Sequence, residues 1–178
     1  MHYLGGKTRI AKEILPLILS DRKEGQYFVE PFCGGCNVTD KVLGNRIAND
    51  SNQYLIAMFE GLVSGKNYPE KISRELYDDV RMCLRSGSGK YDPGFIGWVG
   101  FMASYRAKFF GGYSGDSVGN KSKPRYFIPE AIRNVMRQIP KLQGVEFRSG
   151  DYKNLRIPDE SIIYCGPHIG IPWDILLA

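Results

Sequence analysis

The stretch FVEPFCGG, residues 28–35, ends an apolar run in a glycine pair, Gly34–Gly35. Such a turn lets a ligand approach the backbone closely, and α/β proteins bind ligands just outside the carboxyl ends of their strands. About fifteen residues further on, IANDSN places Asp50 at the end of a second apolar run, where a carboxylate can take both ribose hydroxyls of a nucleoside. Asp50 or Ser51 also suits a helix N-cap. Taken together, the glycine turn and the acid favour a nucleoside-containing cofactor. Asp151 and Tyr152, which follow VEFRSG, offer a further acid and ring on the same sheet edge. GGKTR, residues 5–9, is not a phosphate-binding P-loop. That motif needs a glycine five residues before its Gly–Lys–Thr, a position held here by Met1. Cys33 and Cys36 form a CxxC, but Cys83 and Cys165 stand alone and the chain has two histidines. A zinc site asks for four well-spaced ligands, so no metal is expected.

These residues need elements to position them. QYFVEPF (26–32), NRIAND (45–50), GVEFRSGD (144–151) and ESIIYC (160–165) read as strands. Thr8–Ser20 has Ile10, Ile14, Leu17 and Ile18 at helical spacing, with Pro16 placed to bend or end the helix. Thr39–Leu43, Ser51–Gly65, Tyr68–Leu84, Phe95–Phe109 and Pro129–Ile139 also read as helices. The strand–turn–helix–strand order argues for a parallel α/β sheet. After about residue 65 the composition shifts to helices and a Gly/Ser-rich basic stretch, FFGGYSGDSVGNKSKPRY. The expected division is therefore an α/β domain formed by 1–65 and 128–178, interrupted by a helical insertion at 66–127.

Net charge is +5, and it is local. Between Phe101 and Lys141 eight cations face two acids, Asp116 and Glu130; a concentrated basic stretch suits a surface that meets phosphates. No window holds the roughly 18 apolar residues a membrane helix needs, and the N-terminus has no secretory pattern. A cytoplasmic protein with reduced thiols is expected.

HYLGGK, FVEPFCGGCNV, IANDSNQYLI, FRSGDY and SIIYC follow the order and approximate spacing of the Dam-type DNA adenine-N6 methyltransferases, which the chain resembles across nearly its whole length. The resemblance implies a Rossmann-like sheet that binds S-adenosylmethionine, incomplete at its C-terminus, with a helical target-recognition insertion that acts on double-stranded DNA. By position it places Tyr3 and Lys7 beside the cofactor. Phe32 and Gly34 would lie at its methionine part, Asp50 at the ribose, and Asp151 and Tyr152 around the adenine. Arg106, Lys108 and Tyr113, with Lys121, Lys123 and Arg125, fall where relatives touch DNA. Aromatics among cations suit a groove that holds phosphates and stacks bases, although Phe101 and Phe109 read as core.

After the last strand the family carries Asp–Pro–Pro–Tyr, the loop that receives a flipped adenine. Here the corresponding positions are Gly166, Pro167, His168 and Ile169. The acid and the stacking ring are both missing, so an impaired enzyme is expected. His168 onward can be encoded so that the neighbouring reading frame restores a Pro–Tyr, the signature of a one-nucleotide slip. A chain ending soon after this strand is also expected to expose a sheet edge and self-associate. The competing reading is a DNA-binding or regulatory protein that keeps the fold without catalysis.

Overall fold

The computed structural model describes residues 1, 3, 5–115, 117–118 and 124–166. The chain forms two compact units: Gly5–Ser51 with the chain from Gly144 onward, and Met1–Leu4 with Asn52–Gln143.

The first unit is built on a parallel sheet. Its strands are β1 (Phe28–Glu30), β2 (Arg46–Asp50), β5 (Val145–Ser149) and β6 (Ile162–Ile163), in the order β5–β2–β1–β6. All three pairings are parallel, with Val29 opposite both Ile47 and Ile163, and Ala48 opposite Phe147. This is the mixed α/β, Rossmann-like arrangement expected from the sequence. β1 is buried throughout and β2 at its first four positions, as central parallel strands are. The chain leaves β1 toward β2 on one side and returns to β6 on the other. The crevice beside β1, at the carboxyl ends, is thus the topological switch point where open α/β sheets bind ligands.

Helix α1 (Ala11–Ile18) contains Pro16 and ends two residues beyond it; the proline removes one backbone donor without breaking the last turn. Its inward face is Ala11 and Leu15, with Ile18 packed beside them on Phe28, Val38 and Val42. Leu17 is 78% exposed and Ile10 40% exposed, so the buried stripe is rotated from the one the periodicity suggests. The helix expected at Thr39–Leu43 is a single 3-10 turn, Thr39–Lys41, after which Val42 is extended.

The second unit is helical: α2 (Gln53–Val63), α3 (Arg74–Ser86), α4 (Pro93–Met102) and α5 (Phe127–Met136). Asn52 caps α2 through the Tyr54 and Leu55 amides, Ser73 caps α3, and Asp92 caps α4 behind Pro93 at its first turn. These are the side chains that satisfy orphan N–H groups. α4 is apolar on every side and almost wholly buried, as a helix lacking a polar face must be. It runs so close to α2 that a Cβ on Gly97 would lie 2.0 Å from the Tyr54 carbonyl oxygen. The helical pattern expected to reach Phe109 stops at Met102, because Ser104 is already extended, at φ −105° and ψ 144°; Arg106 and Ala107 beyond it are left-handed. Within the stretch read as aperiodic, β3 (Ser117–Val118) pairs antiparallel with β4 (Pro124–Arg125). Among the described residues no helix is long and apolar enough to cross a membrane.

Gly97→Ala is expected to destabilise the chain by roughly 1–3 kcal/mol, the usual cost of overpacking. Urea denaturation showing an unchanged midpoint would contradict this α2–α4 contact.

Candidate functional site

The carboxyl ends of β1, β2 and β5 are joined by the side chains that end β2. Asn49 donates from Nδ2 to the carbonyls of Pro31, at 3.0 Å, and Gly150, at 3.2 Å. Its own carbonyl accepts the Cys33 amide at 2.8 Å. Asp50 accepts the Gly34 amide on Oδ2 at 3.0 Å, and its carbonyl accepts the Gly150 amide at 3.1 Å. The glycine turn after β1 and the loop after β5 are thereby fixed to β2. Gly34 is left-handed at φ 47°, as is Cys36 at 53°. Since Asn52 is the cap of α2, Asp50 is not the N-cap that its position also suited.

The rings of Phe32 and Tyr152 meet at this edge, 5.1 Å apart and inclined at 55°. Phe32 is half-buried and Tyr152 48% exposed. Asp151 is exposed and accepts the Lys153 amide at 3.0 Å, which shapes the short 3-10 turn Tyr152–Asn154. Five of the residues singled out from sequence, Phe32, Gly34, Asp50, Asp151 and Tyr152, thus lie at one sheet edge, Asp50 ending β2 and the others on the loops beside it. Lys7 belongs to the same unit and donates to the Gly5 carbonyl at 2.9 Å. Tyr3 lies in the other unit, its ring 6.1 Å from that of Phe101. Of the loop after β6, Gly166 is described and half-buried; Pro167, His168 and Ile169 fall outside the described residues.

Residues 3–167 match the family model of the D12 class N6 adenine-specific DNA methyltransferases. The chain belongs to that family. A search of the curated proteins gives no match. Membership of the methyltransferases implies a methyl donor and a DNA substrate.

In the helical unit the residues Ser104–Ser114 form a closed loop of this D12-class chain. Tyr105 donates its amide to the Gly112 carbonyl at 2.9 Å, and Ser114 donates to the Ala103 carbonyl at 2.8 Å. Beneath it the buried Tyr77 hydroxyl takes the Gly112 amide and bonds the Ser104 hydroxyl, each at 3.1 Å. Arg106 and Lys108 are exposed, and the Arg106 guanidinium lies 5.3 Å over the Tyr105 ring. Tyr113 is used differently. It packs edge-on against Tyr77, donates its hydroxyl to the Ile72 carbonyl at 2.9 Å, and carries the Arg74 guanidinium over its ring. Arg125 forms a bidentate pair with Glu130, both contacts at 2.9 Å, which raises its affinity for the proton. Lys121 and Lys123 lie outside the described residues. Phe101 is buried and Phe109 half-buried.

Sequence reasoning passed over Glu30. It ends β1 with 4% exposure and accepts the Thr39 amide at 3.1 Å and the Thr39 hydroxyl. A charged residue inside the apolar run QYFVEPF was the available signal. Burial pushes its carboxyl up to about 7, against the opposing effect of the Thr39 bonds. Cys33 and Cys36 are buried next to it. The thiol of Cys33 is raised first by its hydrogen bond with Cys36 and then by burial, that of Cys36 chiefly by burial.

A carboxyl raised in the fold stabilises it in the protonated form. That contribution is complete below the ordinary value of 4.5 and is lost as pH rises through about 7. The unfolding free energy should therefore fall between about pH 5 and pH 8 by more than that of Glu30→Gln, the difference amounting to at most ~3 kcal/mol. Parallel pH profiles for the two chains would contradict it.

Proposed function

We propose that this chain binds S-adenosylmethionine at the β1–β2–β5 edge and double-stranded DNA through its helical unit, and that its methyl transfer to adenine is impaired. What carries the cofactor reading is the Gly34 amide held by the Asp50 carboxylate, an acid and a glycine turn brought together at the switch point of a parallel sheet. In this reading Asp50 takes the ribose hydroxyls, Asp151 and Tyr152 flank the adenine, the turn at Phe32 and Gly34 receives the methionine part, and Lys7 lies beside the cofactor. When bound, the cofactor supplies an activated methyl group. The chain's own task is to hold both partners and exclude water.

Exposed Arg106 and Lys108, on a loop anchored by Tyr77, support phosphate contact; Lys121, Lys123 and Arg125 extend the basic run in sequence. Tyr113 supports this loop from within. Residues 66–127 are the proposed recognition insertion, within the α/β parts 1–65 and 128–178. The impairment rests on Gly166, which has no carboxylate to take a hydrogen bond from the adenine amine. Positioned acid–base groups contribute roughly 10²–10⁴-fold. Thiols in a reducing cytoplasm and pairing of copies through the β6 edge belong to the same reading.

Calorimetric titration with S-adenosylmethionine should give saturable binding, weakened at least tenfold by Asp50→Ala. Transfer of labelled methyl to duplex DNA should remain near background. Efficient transfer by the unaltered chain would overturn the impairment. A folded chain that binds DNA but no cofactor would favour the non-catalytic alternative.

A further inference from the structure

Glu30 and Thr39 stand at the two ends of the turn that follows β1. Between them, the Cys33 and Gly34 amides are committed to Asn49 and Asp50. One carboxylate oxygen of Glu30 takes both Thr39 donors, drawing the exit of the turn back onto the end of the strand. The Thr39 carbonyl is in turn held by Arg46 Nη1 at 3.4 Å. The turn is therefore fixed at its middle by β2 and closed at its exit by a buried acid.

We propose that Glu30 is a positioning residue for the cofactor turn: through Thr39 its carboxylate sets the path of residues 33–38, and gain or loss of its proton tightens or loosens that path. The inference rests on the reading that this edge binds S-adenosylmethionine. An amide would hold Thr39 equally well in shape and without the cost of burying a charge. Buried ionisable groups beside a cleft are where function is commonly found.

The sign follows from the bonds. An ionised carboxylate accepts charge-assisted hydrogen bonds, about twice as strong as neutral ones, so the turn is held best when Glu30 is charged. Burial opposes ionisation and brings the two forms into balance near neutral pH, at about 7. Asp40 pushes in the same direction, while Lys41 favours the charge. Tyr164, just after β6, and the Cys33 and Cys36 thiols also face this carboxyl, and each is made harder to ionise by it. The ionised state is thus the less stable fold and the better-formed site.

The test is titration of the full chain with S-adenosylmethionine at about pH 6 and about pH 8. The Kd should fall roughly three- to tenfold with rising pH, the effect of strengthening two hydrogen bonds. Glu30→Gln should bind with a Kd that no longer changes with pH. Thr39→Val, which keeps the side-chain shape and the amide donor, should show a smaller change than the unaltered chain; it also serves if the Gln variant does not fold. A Glu30→Gln chain that keeps the full pH dependence would overturn the proposal, as would an unaltered chain that binds equally at both pH values, while leaving the cofactor reading intact. A folded chain with no saturable binding at either pH would remove the cofactor reading itself, and this inference with it.

Discussion

The stitching of three strand ends by Asn49 and Asp50 is the constraint on which the carboxyl edge of the sheet depends. A parallel sheet aligns its carboxyl ends, but the loops leaving them are irregular and must find partners for their backbone groups. Here β2, the strand between β1 and β5, supplies those partners. Its last two residues accept the Cys33, Gly34 and Gly150 amides and donate to the Pro31 and Gly150 carbonyls. The turn after β1 and the loop after β5 are consequently held at one place, with Phe32 beside Tyr152. A residue without a side-chain acceptor at position 50 would release the Gly34 amide and leave a left-handed turn with one less anchor.

The helical unit is organised around a different polar group. Tyr77 is wholly buried, yet its hydroxyl is bonded to both sides of the Ser104–Ser114 loop. A buried hydroxyl without such partners would cost roughly 1–3 kcal/mol. Satisfied, it holds a loop containing left-handed Arg106, Ala107 and Phe110, conformations that persist only where their surroundings impose them. The fold thus presents Arg106 and Lys108 from a loop with a defined shape.

Much of this was legible from residue order. Apolar runs located the four parallel strands, and glycine and acid at strand ends located Gly34, Asp50 and the Asp151–Tyr152 pair. The five family stretches pointed to the D12 class that the family match shows. The misses have physical causes. The α1 stripe shifted because Leu17 and Ile10 were read as core by spacing, whereas Ala11, too small to stand out, is fully buried. Thr39–Lys41 forms only a 3-10 turn, since the chain turns extended at Val42 to lead into β2. Glu30 shows in sequence only as a charge inside an apolar run, because its partner Thr39, nine positions away, is brought to it by the fold. Tyr113, expected by position at a DNA contact, is also engaged by Ile72, Arg74 and Tyr77, far from it in the chain, which no spacing in the sequence shows.

The most direct test of the account is photocrosslinking of labelled S-adenosylmethionine to the full chain, followed by mapping of the labelled peptides. If the stitched edge is the cofactor site, the label falls on the peptides containing Phe32 and Tyr152, and excess unlabelled cofactor prevents it. Label confined to other peptides, or insensitive to competition, would contradict the assignment.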